Sequence, residues 1–144
     1  MIARLETWWR VGVDSFAEDN GYDVAEVPRE LIWYVTASIT DIKALDEAEG
    51  WAYGCGSTSL RVVAGQVHMR LDWRLEVERA AWAEVRGLDP RTSLRRDFAE
   101  HIAHELITLP SVCETDAVMT ARYATGRGPV RRTWTYEDRH PTTH

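Results

Sequence analysis

The sequence predicts an α+β domain: an antiparallel sheet of about four strands, built from two hairpins and covered by three helices, in the order α-α-β-β-α-β-β. Three observations carry this reading. Residues 67–77 alternate strictly between apolar and polar side chains, the period of a strand with one buried face. Residues 28–47 and 94–108 repeat apolar residues at three- and four-residue steps instead, the period of an amphipathic helix. Glycine-bearing turns at Gly65-Gln66 and Gly126–Pro129 each lie between alternating stretches, as hairpin turns do.

The elements follow in order. Ile2, Leu5, Trp9, Val13 and Phe16 are spaced for a helix over 2–18, with Asn20-Gly21 as its stop. Pro28 suits the first turn of a second helix over 28–47, whose stripe is Leu31, Val35, Ile39, Ile42 and Leu45. Residues 54–58 read as a loop. In the first hairpin a turn at Gly65-Gln66 pairs Ala64 with Val67, Val62 with Met69 and Leu60 with Leu71, keeping apolar residues on one face. Residues 80–88 fit either a helical turn or a strand. Thr92 or Ser93 can cap a third helix with the stripe Leu94, Phe98, Ile102 and Leu106, closed by Pro110. The second hairpin joins 117–125 to 130–136, pairing Met119 with Tyr136, Ala121 with Trp134 and Tyr123 with Arg132.

The 144 residues suit one domain, 1–136, followed by a polar tail, 137–144. A hydrophobic content of 44% against 28% charged excludes a largely disordered chain. Two cysteines are too few for a disulfide scaffold. No apolar run is long enough to span a bilayer, and Met1–Glu6 has no apolar secretion core. The expectation is a soluble, cytoplasmic protein with no membrane partner. Sixteen arginines against a single lysine, Lys43, fit a GC-rich coding background better than a structural need, so arginine abundance alone does not indicate nucleic-acid binding. A small domain of this kind would suit a phage or other mobile element.

Charge is unevenly spread. The net of -6 divides into -7 over residues 1–50, zero over 51–108 and +1 over 109–144, with four arginines and no acid between 117 and 136. An acidic front and a basic hairpin can attract each other, within one molecule or between copies.

Three constellations could carry function. Asp97, His101 and His104 stand on one side of the third helix, with Glu105 beside them, side chains of the type that bind zinc. The order His-Ile-Ala-His-Glu matches no zinc-protease motif. The bland alternative is a solvated flank with one buried Glu–His or Glu–Arg pair. Cys55, between Gly54 and Gly56, could present a thiol, although the two glycines are explained by a turn. Arg122, Arg127, Arg131, Arg132 and Trp134 make the late hairpin basic and aromatic. Such a surface suits either a protein interface or single-stranded nucleic acid. No catalytic residue set and no cofactor motif stands out. The reading that follows is a non-enzymatic interaction or assembly protein that binds a protein partner or copies of itself. A nucleic-acid-binding regulator using the hairpin 117–136, and then a metal-dependent enzyme with its site on 94–108, are the alternatives.

Overall fold

The computed structural model of the chain describes residues 1–108, 117–125 and 128–135. It is an α+β fold with one five-stranded antiparallel sheet. The strands are β1 (Ile2–Gly12), β2 (Ala52–Val63), β3 (Gln66–Glu76), β4 (Ala117–Thr125) and β5 (Gly128–Thr135), in the spatial order β2-β3-β1-β4-β5. The helices are α1 (Val13–Asn20), α2 (Val27–Ala37), α3 (Lys43–Glu47), α4 (Arg79–Arg86) and α5 (Leu94–Ile107), with 3-10 turns at Val24–Glu26 and Ser38–Asp41.

The first expected helix is wrong over most of its length. Residues 2–12 form the central strand of the sheet, and only 13–20 are helical. The buried side chains of β1 are Ala3, Leu5, Thr7, Trp9 and Val11, a period of two. Thr7 hid that period, because a hydroxyl occupies an apolar position. The structure shows why it is there. Thr7 is fully buried, and its Oγ1 accepts the indole N–H of Trp9 at 2.9 Å and that of Trp73 at 3.0 Å. Its own O–H donates to the Leu71 carbonyl at 3.4 Å. One hydroxyl thereby satisfies two buried indoles.

The second expected helix is broken into α2, a 3-10 turn and α3, although its stripe stays buried. Thr36, Ser38 and Thr40 donate to the carbonyls of Ile32, Val35 and Ala37 at 2.6–2.8 Å. Such side-chain bonds compete with the backbone ladder. The third helix lies where the spacing places it, as α5. Ser93 makes no capping bond, and the Thr92 hydroxyl donates to the Asp89 carbonyl instead. Residues 79–86 resolve as helix α4, and 54–58 belong to strand β2 rather than to a loop.

Both hairpins form, and both pair two residues away from the expected register. Met69 lies opposite Leu60 and Val67 opposite Val62, around a two-residue turn at Ala64-Gly65. Met119 lies opposite Trp134 and Tyr123 opposite Val130. A shift of two keeps every side chain on its face, so the period constrained the face and left the register to the turn. At the first turn both residues have positive φ, Ala64 at 50° and Gly65 at 75°, as a type I′ turn requires. The expected pairing partner Tyr136, the closing Pro110 and the tail 137–144 lie outside the described residues.

All five helices lie on one face of the sheet. A single core joins β1, β3 and β4 to Phe16, Leu31, Trp82, Phe98 and Ile102, with α5 packed on β4 and β1. Among the described residues, no helix is long and apolar enough to cross a membrane.

Thr7→Val should destabilise the fold by about 2–5 kcal/mol, since two buried indole N–H groups lose their acceptor. Thr7→Ser should cost much less, and urea unfolding reads both. Ala64→Asn should stabilise the protein by about 1 kcal/mol, because alanine pays a steric penalty in the left-handed region that asparagine largely avoids. The expected rise in melting temperature is about 2–4 °C.

Candidate interaction surfaces

Among the described residues, the second face of the sheet carries no helix. Alternation places Arg4, Glu6, Trp8 and Arg10 of β1 there, together with His68, Arg70, Asp72, Arg74 and Glu76 of β3. Arg61 and Ser59 of β2 join them, as do Thr120 and Arg122 of β4 and Arg131 and Thr133 of β5. Seven arginines and three carboxylates give this face a net of +4 in a chain of net -6. The helical segment 13–49 on the other side holds ten carboxylates against Arg29 and Lys43, a net of -8. The molecule is therefore polarised through its thickness rather than end to end.

The pairings arrange this face in rows. One row runs Ser59, Arg70, Trp8, Thr120, Thr133, and the next runs Arg61, His68, Arg10, Val118. On the other side of Trp8 lies a mixed row of Asp72, Glu6, Arg122 and Arg131. Trp8 is half-buried, with the guanidinium of Arg70 at 5.1 Å and that of Arg131 at 5.9 Å from its ring centre, within cation–π range. Arg70 also pairs with Glu6 at 3.3 Å and Asp72 at 3.0 Å, and Arg122 approaches Glu6 at 3.8 Å. That last distance is too long for a hydrogen bond, and Glu6 Oε2 is buried with no donor among the described residues. No ion pair joins Arg4, Arg10 or Arg61 among the described residues.

The predicted basic hairpin is thus split. Arg122 and Arg131 lie on the open face. Arg132, the next residue, lies opposite Ala121 on the helix side, and its Nη2 is 3.7 Å from Glu100 of α5. Trp134 sits on β5 opposite Met119, and Arg127 lies outside the described residues. Sequence reasoning missed Trp8, Arg4, Arg10, Arg61, Arg70 and Arg74 as one surface. The signal was present in the polar phase of residues 4–10, which is visible only once they are read as a strand.

The helix side holds a cleft of about 460 Å3 between α5, the end of α4 and the β4–β5 hairpin, lined by Asp97, His101, His104, Arg86 and Arg132. Asp97 is occupied within it. Its Oδ2 accepts the Trp82 indole N–H at 2.9 Å and Arg86 Nε at 3.1 Å, and its Oδ1 accepts Arg86 Nη2 at 3.3 Å. This carboxylate ties α4 to α5 above the contact of Trp82 with Phe98, whose rings lie 4.8 Å apart. His101 stacks edge-on against Trp82, while His104 is exposed. Among the described residues, no three His, Cys, Asp or Glu side chains come together as a metal site.

Cys55 lies on β2 opposite Trp73, half-buried. Burial, reinforced by the Asp72 charge, pushes its thiol up to about 11. It stays protonated near neutral pH and is a poor nucleophile. Cys113 lies outside the described residues.

The edges of the sheet differ. β5 presents Pro129, Arg131 and Arg132, residues that block strand addition. β2 presents twelve residues with one charge, Arg61, and exposes Tyr53, Leu60, Val62 and Val63.

Burial first, and then the Arg86 charge, hold His101 below its usual range, while Glu105 and Asp97 pull weakly the other way. A histidine kept neutral in the folded state contributes stability that is full above its unfolded value, about 6.5. That stability is lost as pH falls through the lower folded value. His101→Gln should therefore flatten the fall in melting temperature between neutral and mildly acidic pH. An unchanged slope would show that His101 does not titrate differently on folding. Compared with family models, curated proteins and solved structures, the chain matches none.

Proposed function

We propose that this chain is a non-enzymatic interaction and assembly protein of the cytoplasm that pairs with a second copy of itself along β2. The observation that carries the reading is the long outer edge of that strand, guarded only by the single charge of Arg61 and by a register shift between Ser57 and Ser59. β2 ends the sheet, so its outward N–H and C=O groups have no strand partner among the described residues. A long edge with so little charge is a template for strand addition.

Two further features support it. Leu60 and Val62 remain 42% and 54% exposed although they lie opposite the buried Met69 and Val67. A neighbouring strand would complete their cover. Gly54 and Gly56 also lie on β2, where a Cβ would meet nothing within 4 Å and no positive φ demands glycine. No contact among the described residues requires either glycine, and glycine within a strand often marks the close approach of another backbone.

The occupant is a second copy because an antiparallel β2–β2 pair is self-complementary about a twofold axis, the commonest symmetry of small oligomers. Burial of Leu60 and Val62 contributes about 1 kcal/mol per side chain, and each ladder hydrogen bond about 0.5–1.5 kcal/mol. Against an association cost of at least about 4 kcal/mol, this supports reversible pairing.

Light scattering on a sizing column should give a dimer mass at high micromolar concentration. Leu60→Lys combined with Val62→Lys should return the monomer mass with the circular dichroism spectrum unchanged, because both side chains are exposed. A wild-type chain that stays monomeric at every concentration reached would overturn the proposal.

A further inference from the structure

We infer that the open face of the sheet binds single-stranded nucleic acid, with a base stacked on Trp8 and the flanking phosphates held by Arg10 and Arg61. This surface is independent of the β2 edge as a docking site, although Arg61 borders both.

A cleft of about 450 Å3 lies beside Trp8, lined by Arg10, Arg61, Arg70, His68, Ser59 and Thr120 among others and, among the described residues, by no carboxylate. Arg10 and Arg61 make no ion pair among the described residues, so their guanidinium forks are free to receive phosphate, for which their planar geometry is suited. They flank His68 in one row, and Trp8 stands in the next. Rows on a strand face repeat about every 6.6 Å, which sets an aromatic ring one step from a line of cations. That is the combination of stacking platform and basic track by which single strands are held. Ser59 and Thr120 add hydroxyls able to bond to phosphate or sugar.

The chain's overall acidity does not oppose this. The carboxylates of residues 13–49 lie across the sheet, on a helical layer about 10 Å thick. The screening length at physiological salt is about 8 Å, so an approaching strand meets the field of the open face. The ion pairs that Arg70 makes with Glu6 and Asp72 are more than a third exposed. Such pairs are worth about 0–1 kcal/mol, and a phosphate can compete for Arg70 and draw its guanidinium off the Trp8 ring it covers, opening that face to a base.

Single strands are favoured over two other polyanions. Duplex DNA offers phosphates but hides its base faces, so it would leave Trp8 unused. An acidic protein segment offers charge without a stack of planar rings.

The test is fluorescence anisotropy with a labelled oligothymidylate, with the same oligonucleotide in duplex form and poly-glutamate as competitors. The single strand should bind, with affinity falling as salt rises by about 0.7 log units per log unit of salt for each phosphate contacted. Trp8→Ala should weaken binding about tenfold with little change in that slope, since it removes stacking and no charge. Arg10→Gln combined with Arg61→Gln should weaken binding and flatten the slope by about 1.4. All three side chains lie outside the core, so each variant should keep the wild-type circular dichroism spectrum at the assay temperature, which separates lost binding from lost folding. No binding at low salt, equal competition by the duplex, equal competition by poly-glutamate, or a Trp8→Ala variant that binds as wild type would each overturn the assignment. Because Leu60→Lys with Val62→Lys breaks pairing without touching Trp8 or Arg10, measurable binding by that monomer separates this inference from the assembly proposal.

Discussion

The architecture turns on a single hydroxyl. Thr7 stands in the middle of the central strand, and its oxygen receives the indole N–H groups of Trp9 and Trp73. Each indole is almost fully buried, and without an acceptor each would leave an unmet donor in a medium where that is costly. The shared acceptor lets two of the largest side chains enter the layer between sheet and helices. It also ties β1 to β3, since Trp73 reaches Thr7 from the neighbouring strand. With β1 pinned at the centre, the hairpin β2–β3 pairs on one side and β4–β5 on the other. The five helices then need only one face.

That one-sidedness is what makes the remaining surface informative. A strand side chain points to one face or the other, so every residue committed to the core sends its neighbours to the open face. On β1 the core takes Ala3, Leu5, Thr7, Trp9 and Val11, and the open face receives Arg4, Glu6, Trp8 and Arg10. The pair Trp8-Trp9 shows the division at its sharpest. One indole is buried under helices with its N–H satisfied, and the other lies between two guanidinium groups on a bare sheet. Adjacent, chemically identical residues thereby hold opposite roles by parity alone.

The same parity decides how much was legible beforehand. The α+β class, the hairpins and helix α5 follow from periodicity, because each consists of several residues that agree. β1 was read as a helix because the steps from Ile2 to Leu5, Trp9 and Val13 fit a helical period, while Thr7 broke the apolar column that marks a strand. Helix 28–47 lost its middle to Ser38 and Thr40, whose hydroxyls bond backward to backbone carbonyls, an effect that apolar spacing does not register. Both hairpin registers depended on turn geometry, and Ala64 with a positive φ is not what residue preference suggests. Of the interaction surface, the hairpin arginines were visible but grouped by sequence. Arg131 and Arg132 are neighbours in a strand, so they cannot share a face, and the structure sends them to opposite ones. The open-face patch was not legible because one of its three main strands had been assigned to a helix.

The two surfaces meet at Arg61, the one charge on the β2 edge. A sheet extended by another strand keeps its faces, so the proposed pairing along β2 would place two open faces side by side and, in a register centred near residue 61, would bring the two copies of Arg61 toward each other. Like charges at such an edge oppose pairing, which makes Arg61 a guard against uncontrolled strand addition. A phosphate held by Arg10 and Arg61 would neutralise that guard. Linkage then requires reciprocity: if the polyanion favours pairing by some factor, pairing favours the polyanion by the same factor. The edge and the platform are separate docking sites, and the one guanidinium that borders both is where occupancy of one would bear on the other.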